Sequence, residues 1–244
     1  MHYYTGVTLP EQLEAFRVQY LEHKGWPRSF EERVPRDQSG PVPWITYPAI
    51  AFLSGIVRPE WRVFEFGTGN STLWWSAKAA EIHSVDHNRE WIDMVRRTAP
   101  ANCHLHHVPE NAQTEGTAMA LAERYRSEIS EPPPPVDPIY RRNAGLITDS
   151  FAAYAGYLTR FPTGTFDLVV IDGMARNLCA WMAAEWAHPK RCIVFDNSDR
   201  PEYGPAYAIL HAKGYRRIDL WGPGPINPYE WCTTVFLQDL SLLP

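Results

Sequence analysis

The sequence predicts a doubly wound α/β domain: a mostly parallel sheet of seven strands with helices on both faces, an antiparallel last strand and helices at the N-terminal end. Three observations predict it. From residue 62 onward, short apolar runs alternate with helical segments, the pattern of strands joined by helical crossovers. The first run ends in a glycine turn, Gly67-Thr68-Gly69, that opens a helix. The last two runs are separated only by residues 222–231, too short for a helical crossover, so that pair must be antiparallel.

The elements follow in order. Residues 8–24 read as a helix, with Thr8 and Glu11 at capping-box spacing and Leu9, Leu13, Phe16, Tyr20 and Leu21 on one face. Residues 25–43, rich in Pro, Gly and charge, read as a loop. Residues 44–57 form a second apolar segment, helical after Pro48. Strands are then expected at 62–66, 82–85, 104–108, 166–171, 192–195, 215–220 and 232–237. Helices are expected at 71–80, 89–98, 175–187 and 205–213. Residues 1–58 are thus an N-terminal helical cap and 59–244 the α/β domain. The long connection 109–148, helical over 112–130 and broken by Pro132 to Pro135, is expected to be an inserted lid over the active site.

A chain of 244 residues, 45% hydrophobic, has enough apolar surface for one sizeable core. The net charge of -5 argues against a phosphate-backbone footprint, so no nucleic-acid partner is expected. No apolar run is long enough to span a bilayer, and the first residues lack the charged start and apolar stretch of a secretory signal. No membrane partner and a cytoplasmic location are expected. The four cysteines are scattered, with no C-x-x-C pair, and read as buried free thiols. A homodimer is left open.

The chemistry concentrates in V-F-E-F-G-T-G-N-S-T, residues 63–72. Gly67 and Gly69 let the backbone turn and approach a ligand closely, and the helix start beyond them offers free N–H groups. Asp86 ends the next strand, where a carboxylate can accept both hydroxyls of a ribose. Thr72 stands where a dinucleotide-binding G-x-G-x-x-G has its third glycine, which argues against NAD. Glu65 lies two residues before the first glycine.

In E-F-G-T-G-N, S-V-D-H (84–87) and F-D-L-V-V-I-D-G (166–173), the chain resembles class I S-adenosylmethionine-dependent methyltransferases over residues 60–238, a Rossmann-like fold. The resemblance implies S-adenosylmethionine as cofactor. It would be held by Glu65, Gly67, Thr68, Gly69, Asn70, Ser71 and Thr72 around the methionine part and by Asp86 on the ribose, with His87 bordering the adenosine site. Asn111 and Glu110 are candidates for the adenine contact. Trp44 and Tyr47, in P-W-I-T-Y-P, are candidates to fold over the cofactor, with Tyr140 a weaker one; anchoring of the N-terminal helices is the alternative for the first two.

Ligands of such sheets bind beyond the carboxyl ends of the strands, which places Asp172, Asp196 and Asn197 on the same rim as candidate catalytic residues. Two carboxylates and an amide oxygen are hard ligands suited to Mg2+, and Asp172 with Asp196-Asn197 resembles the cation-dependent catechol-type O-methyltransferases. A metal-free polar site and plain turn chemistry are the alternatives, and Arg176 in I-D-G-x-x-R departs from that pattern. The loop 222–231 belongs on this rim too, with Tyr229 and Trp231 as pocket walls. His104, His106 and His107 read as solvent-facing strand residues, the first two on one face. The expected activity is methyl transfer to a small molecule, at oxygen. The alternatives are an S-adenosylmethionine cyclase or lyase releasing methylthioadenosine, and a non-catalytic or NAD-binding module.

Overall fold

The computed structural model describes residues 6–130, 150–239 and 241. The sheet has seven strands: β1 (Arg62–Phe66), β2 (Glu81–Asp86), β3 (Cys103–His107), β4 (Leu168–Ile171), β5 (Cys192–Asp196), β6 (Arg216–Pro223) and β7 (Glu230–Leu237). Their order is β3-β2-β1-β4-β5-β7-β6. The first five pair in parallel, and β7 lies antiparallel between β5 and β6. Only β7 is therefore reversed, as expected, and the chain adopts the Rossmann-like methyltransferase fold.

The central strands read as continuous apolar runs because both faces of the sheet are buried. Alternate residues feed two core layers. Phe64, Phe66, Val169, Ile171, Ile193 and Phe195 enter one; Val63, Leu168, Val170, Cys192 and Val194 enter the other. Helices α4 (Asn70–Ser76), α5 (Arg89–Arg96), α8 (Arg176–Met182) and α9 (Gly204–Ala212) cover the sheet in the expected places. The helix α5 starts where Asn88 Oδ1 accepts from Trp91 N at 3.1 Å, an ordinary side-chain cap. None of the helices among the described residues is long and apolar enough to cross a membrane.

The N-terminal segment departs from expectation. Helix α1 (Leu9–Phe16) begins at the expected capping box, Thr8 N donating to Glu11 at 2.7 Å, but Leu9, Leu13 and Phe16 stay exposed. A second helix, α2 (Trp26–Glu32), occupies what reads as loop. Gly25 at φ +69° and Pro27 in the first turn start it, so the residues that signal a break here act as helix punctuation. Helix α3 (Tyr47–Ile56) packs its Ala49, Leu53 and Ile56 into the second core layer. Thr46 fixes its approach, with its hydroxyl donating to Leu220 O at 2.9 Å and its amide to Thr233 Oγ1 at 3.1 Å.

The connection after β3 does not build a lid over its described part. Helix α6 (Gly116–Glu128) buries Ala122 and Tyr125 in the first core layer beside α7 (Ala152–Gly156) and α8, and Trp181 Nε1 donates to Leu121 O at 3.1 Å. Ala122 and Tyr125 of this expected insertion are spent on the core. Residues 131–149, with the proline run and Tyr140, lie outside the described residues. The histidines are not simply solvent-facing either. His104 and His106 stack on the buried His83 of the neighbouring strand, at centroid distances of 4.6 and 5.3 Å. All four cysteines are free, three of them buried, and burial pushes the Cys192 thiol up to about 12.

Candidate active site

The glycine loop sits where β1 and β4 part at their carboxyl ends. Gly67 has φ +103°, and a Cβ there would lie 3.0 Å from Gly173 N and 3.1 Å from Asp172 C. This position needs glycine for both backbone freedom and space. Gly69 does not, since its φ of 177° is ordinary extended backbone and a Cβ would meet Trp91 and Ser71 only at ordinary contact distance. What fixes the loop is a hydroxyl network beneath it. Thr72 Oγ1 accepts from Gly69 N at 2.9 Å and donates to Glu65 Oε2 at 2.5 Å; Ser84 Oγ donates to the same oxygen at 2.8 Å. The threonine in place of a third glycine therefore ties the loop to the strand below it.

Glu65 is fully buried and does not line the cavity above. Burial raises its carboxyl to about 7, opposed by its hydrogen bonds, and Oε1 has no hydrogen-bond partner. The structure thus places Glu65 and Thr72 under the loop as positioning residues, not against a ligand in that cavity.

Above the loop lies a cavity of about 540 Å³, walled by Gly67 to Ser71, Asp86 to Asn88, Trp91, Met94, Trp44 and Asp172 to Met174. This size suits a small-molecule or cofactor site. The Asp86 carboxylate is set by two backbone amides, Thr68 N on Oδ2 and Asn88 N on Oδ1, both at 2.8 Å. His87 Nδ1 lies 3.1 Å from Oδ1. Trp91 Nε1 donates to Thr68 O, which stands the indole beside the loop. Asn70 Nδ2 donates to Pro35 O at 2.6 Å, pinning the segment Arg33 to Pro35 as the outer wall.

A second cavity of about 840 Å³ adjoins the first and shares Trp44, Asp172 and Arg176 with it. Its other walls come from the end of β5 and the turn after it, through Asp196, Asn197 and Asp199 to Glu202, and from the β6–β7 hairpin, through Asn227, Tyr229, Glu230 and Trp231. The hairpin is on the expected rim because β6 runs parallel to β5.

Arg176 organises the boundary. Its guanidinium donates to Gly173 O (3.0 Å), to Asp172 O (3.0 Å) and Oδ1 (2.9 Å), to Asp196 O (2.5 Å) and to Asn197 Oδ1 (3.4 Å). The Asp196 carboxylate faces the other way, accepting from Trp231 Nε1 at 3.0 Å and Thr233 Oγ1 at 2.5 Å. Burial pushes both carboxyls upward and Arg176 opposes it. The oxygens expected to hold Mg2+ are thus committed to a guanidinium and to β7 donors. They do not form an open cage of oxygen ligands, so Asp172, Asp196 and Asn197 do not fit that ion.

Of the cofactor residues read from sequence, Gly67, Thr68, Gly69, Asn70, Ser71, Asp86, His87 and Trp44 all line the first cavity. Asn111 and Glu110 are exposed and line neither cavity. Asn111 turns the chain at φ +58° and pairs its amide with Ser150 O at 2.7 Å. Tyr47 packs edge-on to Tyr20, with centroids 6.3 Å apart, away from both cavities. Trp91, Met94 and the Arg33 to Pro35 wall are absent from the sequence reading. For Trp91 a signal exists, an aromatic in the first turn of the helix that follows the ribose-type carboxylate. The wall depends on long-range packing and carries none.

No family model matches the sequence, and no curated protein is similar to it. Among solved structures the chain is similar to a precorrin-6y C5,15-methyltransferase from Geobacter metallireducens (11% identity, 79% of this chain and 87% of that chain, TM-score 0.47). It is similar also to a methyltransferase-like protein from Silicibacter pomeroyi (19%, 80% and 89%, 0.42). A third is a dimethyladenosine transferase from Plasmodium falciparum (10%, 82% of this chain, 0.43), of which this chain spans 65%. All are distant, and the fold assignment rests on the strand order.

Proposed function

We propose that this chain is an S-adenosylmethionine-dependent methyltransferase acting on a small molecule, at oxygen. The observation that carries the reading is the pair of adjoining cavities. One is built from the glycine loop and Asp86, and the other opens from it across Trp44, Asp172 and Arg176. A two-substrate reaction needs both spaces, whereas intramolecular cleavage needs only the first.

Bound S-adenosylmethionine supplies a methyl group already activated on a sulfonium. The remaining work is placement. Asp86, oriented by the Thr68 and Asn88 amides, suits a ribose hydroxyl, since Oδ2 accepts only the Thr68 amide and keeps a lone pair free. The slot between His87, Trp91 and Met94 suits a flat base. Trp44, at the junction, offers a π face to a cation. An acceptor hydroxyl loses a proton on reaction, and Asp172 and Asp196 are the bases proposed to take it; burial raises the proton affinity of both. Arg176 holds Asp172 at the boundary. The second cavity carries Asp172, Asp196, Asp199, Glu202 and Glu230 against Arg176 and Arg200, a balance that favours neutral or cationic acceptors and disfavours nucleic acid.

The test is incubation of purified protein with S-adenosylmethionine, alone and with aromatic hydroxyl compounds, followed by mass spectrometry of the nucleoside product. Adenosylhomocysteine formed only with an acceptor supports the reading. Methylthioadenosine from the cofactor alone overturns methyl transfer in favour of the cyclase or lyase. Absence of cofactor binding by calorimetry overturns the cofactor assignment.

A further inference from the structure

Away from the active-site rim, two parallel strands place three metal-competent side chains together. Glu81 and His83 lie on one face of β2, and His104 is the register partner of His83 on β3. Glu81 Oε1 is 2.8 Å from His83 Nε2 and 3.3 Å from His104 Nε2. The ligating atoms of the three residues all lie within 4.8 Å of one another. Among the described residues this is the one such group of His, Cys, Asp or Glu. It is remote from the cofactor cavity, because Glu81 opens β2 and Asp86 closes it, roughly 16 Å along an extended strand.

We propose that Glu81, His83 and His104 form a binding site for a divalent transition-metal ion of the zinc class. Two imidazoles and one carboxylate are a donor set for Zn2+ or Co2+ and a poor one for Mg2+ or Ca2+.

The surroundings supply what a ligating histidine needs. When His83 ligates through Nε2, its proton sits on Nδ1, and there it meets His106 Nε2 at 3.0 Å. His106 then carries its proton on Nδ1, facing Tyr157 Oη at 2.9 Å. Each N–H has an acceptor, and such a second layer fixes tautomer and ring orientation in metal sites. Glu81 is steadied through its other oxygen, Oε2, which accepts from Arg62 Nε at 2.8 Å. Phe161 and Phe166 pack edge-on against His83, with centroids 4.7 and 5.7 Å away, so the inner side of the site is apolar. The His104 side chain is 43% exposed, which leaves an entry path and an open fourth position for water. The ion would clamp the edge strand β3 to β2.

The experiment uses untagged, chelator-treated full-length protein titrated with Zn2+ by calorimetry and with Co2+ by visible ligand-field absorption. Expected is one saturable site, intense tetrahedral-type Co2+ bands that Zn2+ bleaches, and a Zn2+-induced rise of about 5 °C or more in Tm at saturating ion. H104Q, at the exposed edge of the site where folding is least at risk, abolishes these signals. H106N keeps the stoichiometry and weakens affinity ~10–100-fold, and D172N, on the active-site rim, leaves binding unchanged. Absence of saturable binding overturns the proposal, as does binding that persists in H104Q or is lost in D172N. None of these readouts depends on methyl transfer.

Discussion

Replacing Arg176 with methionine tests the central electrostatic claim. The guanidinium is 6% exposed and bridges the carboxyl ends of β4 and β5 through five hydrogen bonds to Asp172, Gly173, Asp196 and Asn197. Removing one partner of a buried ion pair costs about 3–5 kcal/mol. The Asp172 side chain keeps 22% of its surface in solvent, which discounts this toward about 3 kcal/mol. For a chain of this size that is a fall of ~6–12 °C in Tm. The pH dependence has a definite sign. Burial raises the Asp172 and Asp196 carboxyls and Arg176 opposes that rise, so without the guanidinium both rise further. A carboxyl raised in the folded state favours folding at low pH, and that contribution is lost as pH climbs through the folded value. The deficit of R176M is therefore smaller near about pH 7 and grows toward about pH 10, above the value of about 8 at which wild-type Asp172 ionises while the variant's carboxyl stays protonated. The double variant R176M/D172N recovers part of the loss at high pH. Urea midpoints at the two pH values provide the assay. A deficit under about 1 kcal/mol, or one equal at both pH values, would refute the reasoning.

Three other outcomes follow from the geometry. E65Q removes a charge whose buried carboxyl titrates at about 7 instead of 4.5; wild type loses stability as pH rises between those values, while E65Q does not, and it should be the more stable by up to a few kcal/mol at pH 8, read from denaturant midpoints across that range. G67A forces a side chain into φ +103° and against the Gly173 backbone, costing about 2–3 kcal/mol and cofactor binding together, by calorimetry and thermal melts. W91A strips one wall of the first cavity but touches a side chain that is 45% exposed; cofactor affinity drops about tenfold while Tm moves little, and a Tm loss equal to that of G67A would contradict its placement as a wall.

The sheet was legible because β1, β4 and β5 are buried on both faces and so carry uninterrupted apolar runs, and because the short gap before β7 admits one chain direction. Asp86 and the loop from Gly67 to Ser71 were legible for a local reason, since a strand end, a turn and a helix start are contiguous in the chain. Thr72 was noticed as a missing glycine, yet its role as the tie between Gly69 and Glu65 needs β1 and α4 in place. Glu65 reads from sequence as a cofactor contact and lies buried beneath the loop, a depth that strand alternation does not report, since it says which face a residue takes but not what lies beyond it. Arg176 was visible as a departure from a metal-binding pattern. That it pairs with the Asp172 carboxylate and the Asp196 carbonyl depends on Asp172 and Asp196, twenty-four residues apart, lying at the ends of adjacent strands. The helix at Trp26–Glu32 was hidden because Gly25 and Pro27 signal a break, and here they start an element.

The reversed direction of β7 has a consequence for how this scaffold can change. Every parallel strand delivers its last residues to the rim, while β7 delivers its first, Trp231 and Thr233, against Asp196. The connection that feeds it is a simple hairpin, whose ends are already held together by the β6–β7 ladder. Lengthening or swapping such a hairpin carries a small closure penalty and leaves the crossovers that build the floor of the first cavity untouched. Under the proposed function, acceptor preference can therefore drift at Asn227 to Glu230 independently of cofactor recognition, and grafting that hairpin is the natural route to redesigning what the second cavity admits.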